Sequence, residues 1–280
     1  MFSIAEIFYI VFSQLAVGGF VVMLLIPKGV VNANFYRLMG GIYLLVGVLA
    51  RCANLYLNEI PVTFMSFLGK LPNYESILVF CFVLIVLCYT CSWWLKSSVL
   101  TDILFYVGIL CGCIWIILSA TQYFEVVQFS GGNYILTFQF LVSALLLGIV
   151  HTGMWFGHWY LVTPDLPVSY LRRFNTVLLW TLVVSVVLFS VSMIVRSQAQ
   201  DVVSFNFHFQ LIFWMRVGLG FAGTLILYLI TWDCLSPKSV AKDELGATRA
   251  ATGFLFIAII TVFLGEFCSR YLFLTMRFLF

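Results

Sequence analysis

The sequence predicts an all-α fold, a polytopic bundle of about eight transmembrane helices. Three observations lead there. Hydrophobic residues make up 63% of the 280 positions and charged residues only 9%, against about 25% charged in soluble domains. The mean hydropathy is +1.11. Apolar runs of roughly 20 residues, the length that crosses the hydrocarbon, recur from one end to the other. A soluble globule is excluded, because it needs more polar residues to cover its surface.

The runs follow in order. The first, 5–27, ends at Ile26-Pro27-Lys28 and lacks a basic leading region and a small-residue cleavage site, which predicts a retained helix rather than a signal peptide. The second and third cover 37–57 and 77–95, the latter stopped at the interface by Trp93-Trp94-Leu95-Lys96. The fourth covers 100–120, and the fifth, 136–162, closes on the Thr163-Pro164-Asp165 turn. Runs at 171–195, 209–233 and 250–273 complete the set. No repeat, linker or low-complexity tract divides the chain, so 1–280 reads as one integral membrane domain.

Orientation follows from lysine and arginine. Lys28, Arg37, Lys96, Arg172, Arg173, Lys238, Lys242 and Arg249 flank the odd-numbered spans' exits, whereas the opposite side holds Lys70, Arg196 and Arg277. The richer side should be cytoplasmic, with both termini outside and the chain multi-pass in a bacterial cytoplasmic membrane. The outer connections are the longer ones: 58–76, of mixed polarity and suited to the interface, 121–135 with Ser130-Gly131-Gly132, and 196–208. A net charge of +3, dispersed along the chain, excludes nucleic acid as a partner. Cysteines within apolar runs behave as small hydrophobes, and Cys88, Cys91, Cys111 and Cys113 fall at depths that do not converge on a cluster.

Ionisable residues inside spans cost roughly 3 kcal/mol each on insertion scales, so each asks for a partner or a purpose. Arg51, Arg216, Glu266 and Arg270 all read to the outer third of the membrane. Glu266 and Arg270 stand i,i+4 with the acid first, the favourable order for a pair. One reading is structural pairing that lets the last span insert. The other is a ligand site, in which the cationic excess, with Glu6 as a further acid and Gln14 and His208 as hydrogen-bonding groups, meets a carbonyl-bearing or anionic headgroup such as a quinone.

A second group is His151 and His158 on the fifth span, about 10.5 Å apart along one helix face. Gly153 and Gly157 form a GxxxG pair on the reverse side, suited to close helix packing. One iron cannot take both histidines, and a haem b would need a different axial ligand opposite either one. Interhelical hydrogen bonding and a proton path are the other readings. No phosphate loop, zinc motif or activated nucleophile is present, so metal ligands and a catalytic residue set are not expected.

Two stretches carry a resemblance. Phe8-Tyr-Ile-Val-Phe-Ser-Gln14-Leu-Ala-Val-Gly-Gly19 opens the chain with a glutamine on an aromatic, glycine-ended span. Gly265-Glu266-Phe-Cys-Ser-Arg270-Tyr-Leu-Phe273 closes it. With the eight-span layout, these resemble the membrane-anchor subunit of DMSO reductase-type complexes and, more distantly, polysulfide reductase-type anchors. The resemblance implies a non-catalytic subunit of an oxidoreductase complex that holds molybdenum and iron–sulfur subunits to the membrane. It also implies electron exchange with quinol, without haem of its own. The histidine segment lies outside the resemblance. The expected function is therefore a membrane subunit of a respiratory complex that exchanges electrons with its substrate quinone near the outer face, partnered by lipid and cofactor-bearing redox subunits. Gln14, Arg51, His208, Arg216, Glu266 and Arg270 are its candidate pocket. The alternatives are a transporter with an arginine-lined anionic substrate site, and an assembly subunit without a ligand.

Overall fold

The computed structural model describes residues 4–95, 98–126, 131–163, 166–198 and 207–276. Lys96, Ser130, Pro164, Asp165 and Arg277, with residues 199–206 of the predicted third outer loop, lie outside the described residues. Eight helices in the described residues are long and apolar enough to cross a membrane, matching the eight runs. They are α1 (Ile4–Val22, continued by a 3₁₀ turn at Met23–Leu25), α2 (Ala33–Leu57), α4 (Tyr74–Leu95), α5 (Ser98–Thr121), α6 (Gly132–Trp159), α7 (Ser169–Gln198), a span beginning with α8 (Phe207–Met215), and α11 (Glu244–Met276). The span that begins with α8 continues through a π-helical segment (Arg216–Gly223) into α9 (Thr224–Cys234). Two short helices, α3 (Phe64–Gly69) and α10 (Pro237–Lys242), occupy connections.

Several helices start earlier than hydropathy indicates. α2 begins at Ala33 and α11 at Glu244, and α4 begins at Tyr74, which brings Glu75 into its first turn. α6 begins at Gly132 after Gly131, whose φ of 81° requires a residue without a Cβ. Polar first turns are invisible to a hydropathy window because helix geometry continues past the apolar zone.

α1 and α6 form the centre, with α2, α4 and α5 on one flank and α7, α8, α9 and α11 on the other. The eight spans alternate in direction, so the start of α1 and the end of α11 share one face, the terminal face. There Phe8 meets Phe267, with ring centroids 5.3 Å apart, and Tyr123 meets Phe273 at 5.6 Å. α1 and α6 run side by side in the same direction and touch backbone to backbone. A Cβ on Gly148 would overlap the Gly18 backbone, and one on Gly18 would overlap the Ala144 carbonyl. Such contacts drive association where lipid removes most of the hydrophobic gain.

The GxxxG pair behaves differently from the expectation of one tight face. Gly157 abuts Thr252 of α11, whereas a Cβ on Gly153 would lie 3.3 Å from the Phe174 ring of α7. The tightest approach of α6 is at Gly148, one turn before His151, so the histidine side is itself a packing face.

Gly148→Ala should lower stability by roughly 1–3 kcal/mol, because the added methyl meets backbone that cannot move aside. Gly41→Ala, where nothing lies within 4 Å, should be neutral or stabilising by up to about 1 kcal/mol. Thermal unfolding of both variants in detergent, against the parent chain, checks the contrast.

Candidate functional site

Three of the six predicted pocket residues converge. Arg216 opens the π-helical segment, and Glu266 and Arg270 lie one turn apart on α11. Arg216 Nη1 donates to Glu266 Oε1 at 2.8 Å, and Arg270 Nη2 stands 3.6 Å from Oε2, too long for a hydrogen bond. The predicted i,i+4 pair is therefore present but is the weaker one. Arg270 Nη2 donates instead to Ser143 Oγ of α6 at 2.6 Å, and Arg216 Nη2 to Ser185 Oγ of α7 at 3.4 Å. Each guanidinium also lies over a ring, Arg216 over Phe221 at 4.3 Å and Arg270 over Phe140 at 4.5 Å. The three charged side chains are at most 3% exposed.

Counting along the helices at about 1.5 Å per residue, Ser143, Arg216 and Glu266 sit roughly 14–17 Å and Ser185 roughly 20 Å from the terminal-face helix ends, nearer those ends than the opposite ones. The π segment is what brings Arg216 here. It lets the Gly220 backbone press against Gly265, so that a Cβ on Gly220 would lie 2.9 Å from the Gly265 Cα. Local π geometry of this kind is frequent at functional positions.

The other three residues lie elsewhere. Arg51 is fully buried on α2, but its guanidinium bonds to Asn54 Oδ1 at 2.9 Å and to the Lys70 and Phe67 carbonyls. Ser76 Oγ donates to the same Asn54 oxygen at 2.7 Å. Arg51 thus clamps the end of α3 to the bundle. Gln14 is fully buried on α1, and neither of its amide atoms has a hydrogen-bond partner. His208 is exposed at the start of α8. A cavity lined by Gln139, Ser143, Ser185, Leu188 and Arg216 adjoins the charged centre, but it has room for only about one water. A quinone ring does not fit it.

His151 and His158 also separate. The indole Nε1 of Trp155 donates to His151 Nε2 at 3.3 Å, so the neutral ring carries its proton on Nδ1. Nδ1 donates in turn to Tyr43 Oη at 3.2 Å, Tyr43 to Thr152 Oγ1 at 2.6 Å, and Thr152 to the Gly19 carbonyl at 3.4 Å. This chain stitches α6 to α2 and α1. His158 is exposed, its ring 6.2 Å from Trp155. Among the described residues, no group of three or more His, Cys, Asp or Glu is placed to hold a metal ion. Cys88 and Cys91 are exposed, whereas Cys111 Sγ lies 3.9 Å from the Leu78 carbonyl, well away from them along α4.

Two further clusters were not singled out by the sequence. At the terminal face Glu75 is 3% exposed and accepts from Gln122 Nε2 at 2.7 Å, with Tyr9 and Ser119 beside it. Trp115 Nε1 donates to Tyr9 Oη, and Tyr123 Oη donates to Glu6, both at 3.0 Å. On the opposite face two adjoining openings of about 420 and 310 Å³ share Lys28, Tyr36, Trp93, Thr101 and Asp102 as walls. Tyr36 stacks on Trp93 at 4.5 Å with planes 3° apart, and Tyr89, Phe105 and Tyr106 line the apolar side. Lys28 and Asp102 form an ion pair at its rim. Trp93 Nε1 lies beside the Tyr89 side chain without completing a hydrogen bond, and Arg37 Nε has no partner. The Trp93-Trp94 pair was the available signal, although it was read as an interface belt.

No protein-family model, curated protein or solved structure matches this chain.

Glu266→Gln should destabilise the bundle by about 3–5 kcal/mol, since it leaves two buried guanidinium groups without their shared carboxylate. Thermal unfolding checks this, and a loss below 1 kcal/mol would show the pairing to be idle. Arg51→Leu should instead act locally, speeding amide exchange over 63–70 severalfold while the exchange of α11 stays as it was.

Proposed function

We propose that this polytopic helical membrane bundle is the membrane subunit of a respiratory redox complex and that it exchanges electrons with a quinone. The observation that carries the reading is the aromatic pocket bounded by Lys28, Tyr36, Trp93 and Asp102. Its volume falls in the range of small-molecule sites, roughly 300–1,000 Å³. Its walls include the flat rings of Tyr36, Trp93, Tyr89 and Phe105, which suit a planar apolar ring. By the distribution of basic residues, this pocket opens on the cytoplasmic side, opposite the outer face that the sequence suggests for quinone exchange. The chain itself supplies a binding surface and protonatable groups, so the electrons pass through cofactor-bearing partner subunits. The Lys28–Asp102 pair offers one acid and one base at the rim for proton exchange with water.

A second reading, a transporter of small anions, is favoured by a different observation. The Arg216–Glu266–Arg270 centre lies within the spans beside a break in regular α-helix, and secondary transporters build their sites beside such breaks.

Purification in mild detergent, with mass spectrometry of co-purifying chains and extraction of bound quinone, separates the two. The redox reading expects iron–sulfur, molybdenum or multihaem partners. A chain that purifies alone and quinone-free would sink it. Trp93→Ala removes one wall of the pocket and its stacking surface, so it should weaken quinone binding about tenfold, the worth of one aromatic contact. Unchanged binding in that variant would remove the pocket from the proposal.

A further inference from the structure

The charge count at the buried centre does not balance. Arg216 and Arg270 are both ion-paired to the same carboxylate, Glu266, and the three side chains are 0–3% exposed. Guanidinium groups stay protonated in proteins, so two cations face one anion and one positive charge is left buried within the spans. An uncompensated charge there costs several kcal/mol. The flanking serines, Ser143 and Ser185, and the rings of Phe140 and Phe221 offer dipoles but no negative charge.

The cavity between α6, α7 and the π segment lies against this excess. Arg216, Ser143, Ser185 and Gln139 line it, and it accommodates about one water-sized sphere. Arg216 Nε is buried and has no hydrogen-bond partner. Gln139 donates its Nε2 to Ser192 Oγ at 3.2 Å, while its Oε1 has no partner. Ser192 Oγ donates to the Leu188 carbonyl at 2.8 Å, so it is the acceptor from Gln139, whose amide nitrogen keeps a second N–H.

We propose that this cavity is a binding site for a small monovalent anion of halide size. The anion is held by Arg216 with the hydroxyls of Ser143 and Ser185 and the amide of Gln139, and it neutralises the Arg216–Glu266–Arg270 centre. The inference stands apart from the quinone reading, because it rests on a different part of the bundle. It holds whether the anion is a resident structural ion or moves.

The test is thermal unfolding of the purified full chain in chloride or bromide against gluconate at constant ionic strength. The midpoint should rise with halide concentration and saturate. Glu266→Gln adds one unit of positive charge, so its dependence on halide should be steeper than that of the parent. Arg216→Gln should lose the dependence. If Arg216→Gln does not fold, Ser185→Ala and Gln139→Leu should each right-shift the halide titration, by about tenfold for a hydrogen bond to a charged group. Crystals grown with bromide should show an anomalous peak between Arg216 and Ser185. Equal midpoints in halide and gluconate for both the parent and Glu266→Gln would overturn the proposal. A halide effect that persists undiminished in Arg216→Gln or in both cavity variants would overturn it equally, by showing that the ion acts elsewhere.

Discussion

Burying one leucine against another gains little when the alternative surroundings are lipid tails, so this bundle depends on backbone meeting backbone. The contact of Gly18 with Gly148 brings α1 and α6 into register; α2, α5, α7 and α11 are laid against that pair, and α4 and the α8–α9 span pack on those in turn. The His151–Tyr43–Thr152–Gly19 chain crosses the same junction one turn further on. Close approach at the glycines and hydrogen bonding at the polar residues therefore act on the same three helices. A side chain added at the glycines would lengthen each of those hydrogen bonds as well as the helix contact.

Charged and polar groups follow from the same constraint. With no water in the hydrocarbon, a buried guanidinium is tolerated only where the protein surrounds it with acceptors. Arg51 meets that need with Asn54 and two backbone carbonyls, which makes it a clamp for the connection between α2 and α4. Arg216 and Arg270 share Glu266 and two serines, and the sharing leaves an excess of positive charge. The distinction is physical. Arg51 reaches the free carbonyls at the end of α3, whereas Arg216 and Arg270 reach side chains and rings.

Three separate polar regions result: a charged centre within the spans, a carboxylate and tyrosine cluster at the terminal face, and an aromatic pocket on the opposite face. The last has the volume for an organic ligand. The carboxylates Glu6 and Glu75, joined to Tyr123, Tyr9 and Gln122, place protonatable groups near water on the side away from that pocket.

The sequence by itself determined the all-α class, the eight spans and the depth order along each helix, because hydropathy is a local property with a length set by the bilayer. It also marked Arg216, Glu266 and Arg270 as belonging together, since their depths agree along their own helices. It could not tell that Arg51, at the same depth, belongs to a different neighbourhood. That depends on the angular position of α2 around α1, and span lengths carry no information about it. The early start of α4, which buries Glu75, and the π segment, which turns Arg216 toward Glu266, were equally illegible. Each is a backbone decision made by contacts between helices rather than by the residues of one helix. The aromatic pocket was decided last and only in three dimensions, where the stacking of Tyr36 on Trp93 joins the start of one span to the end of another.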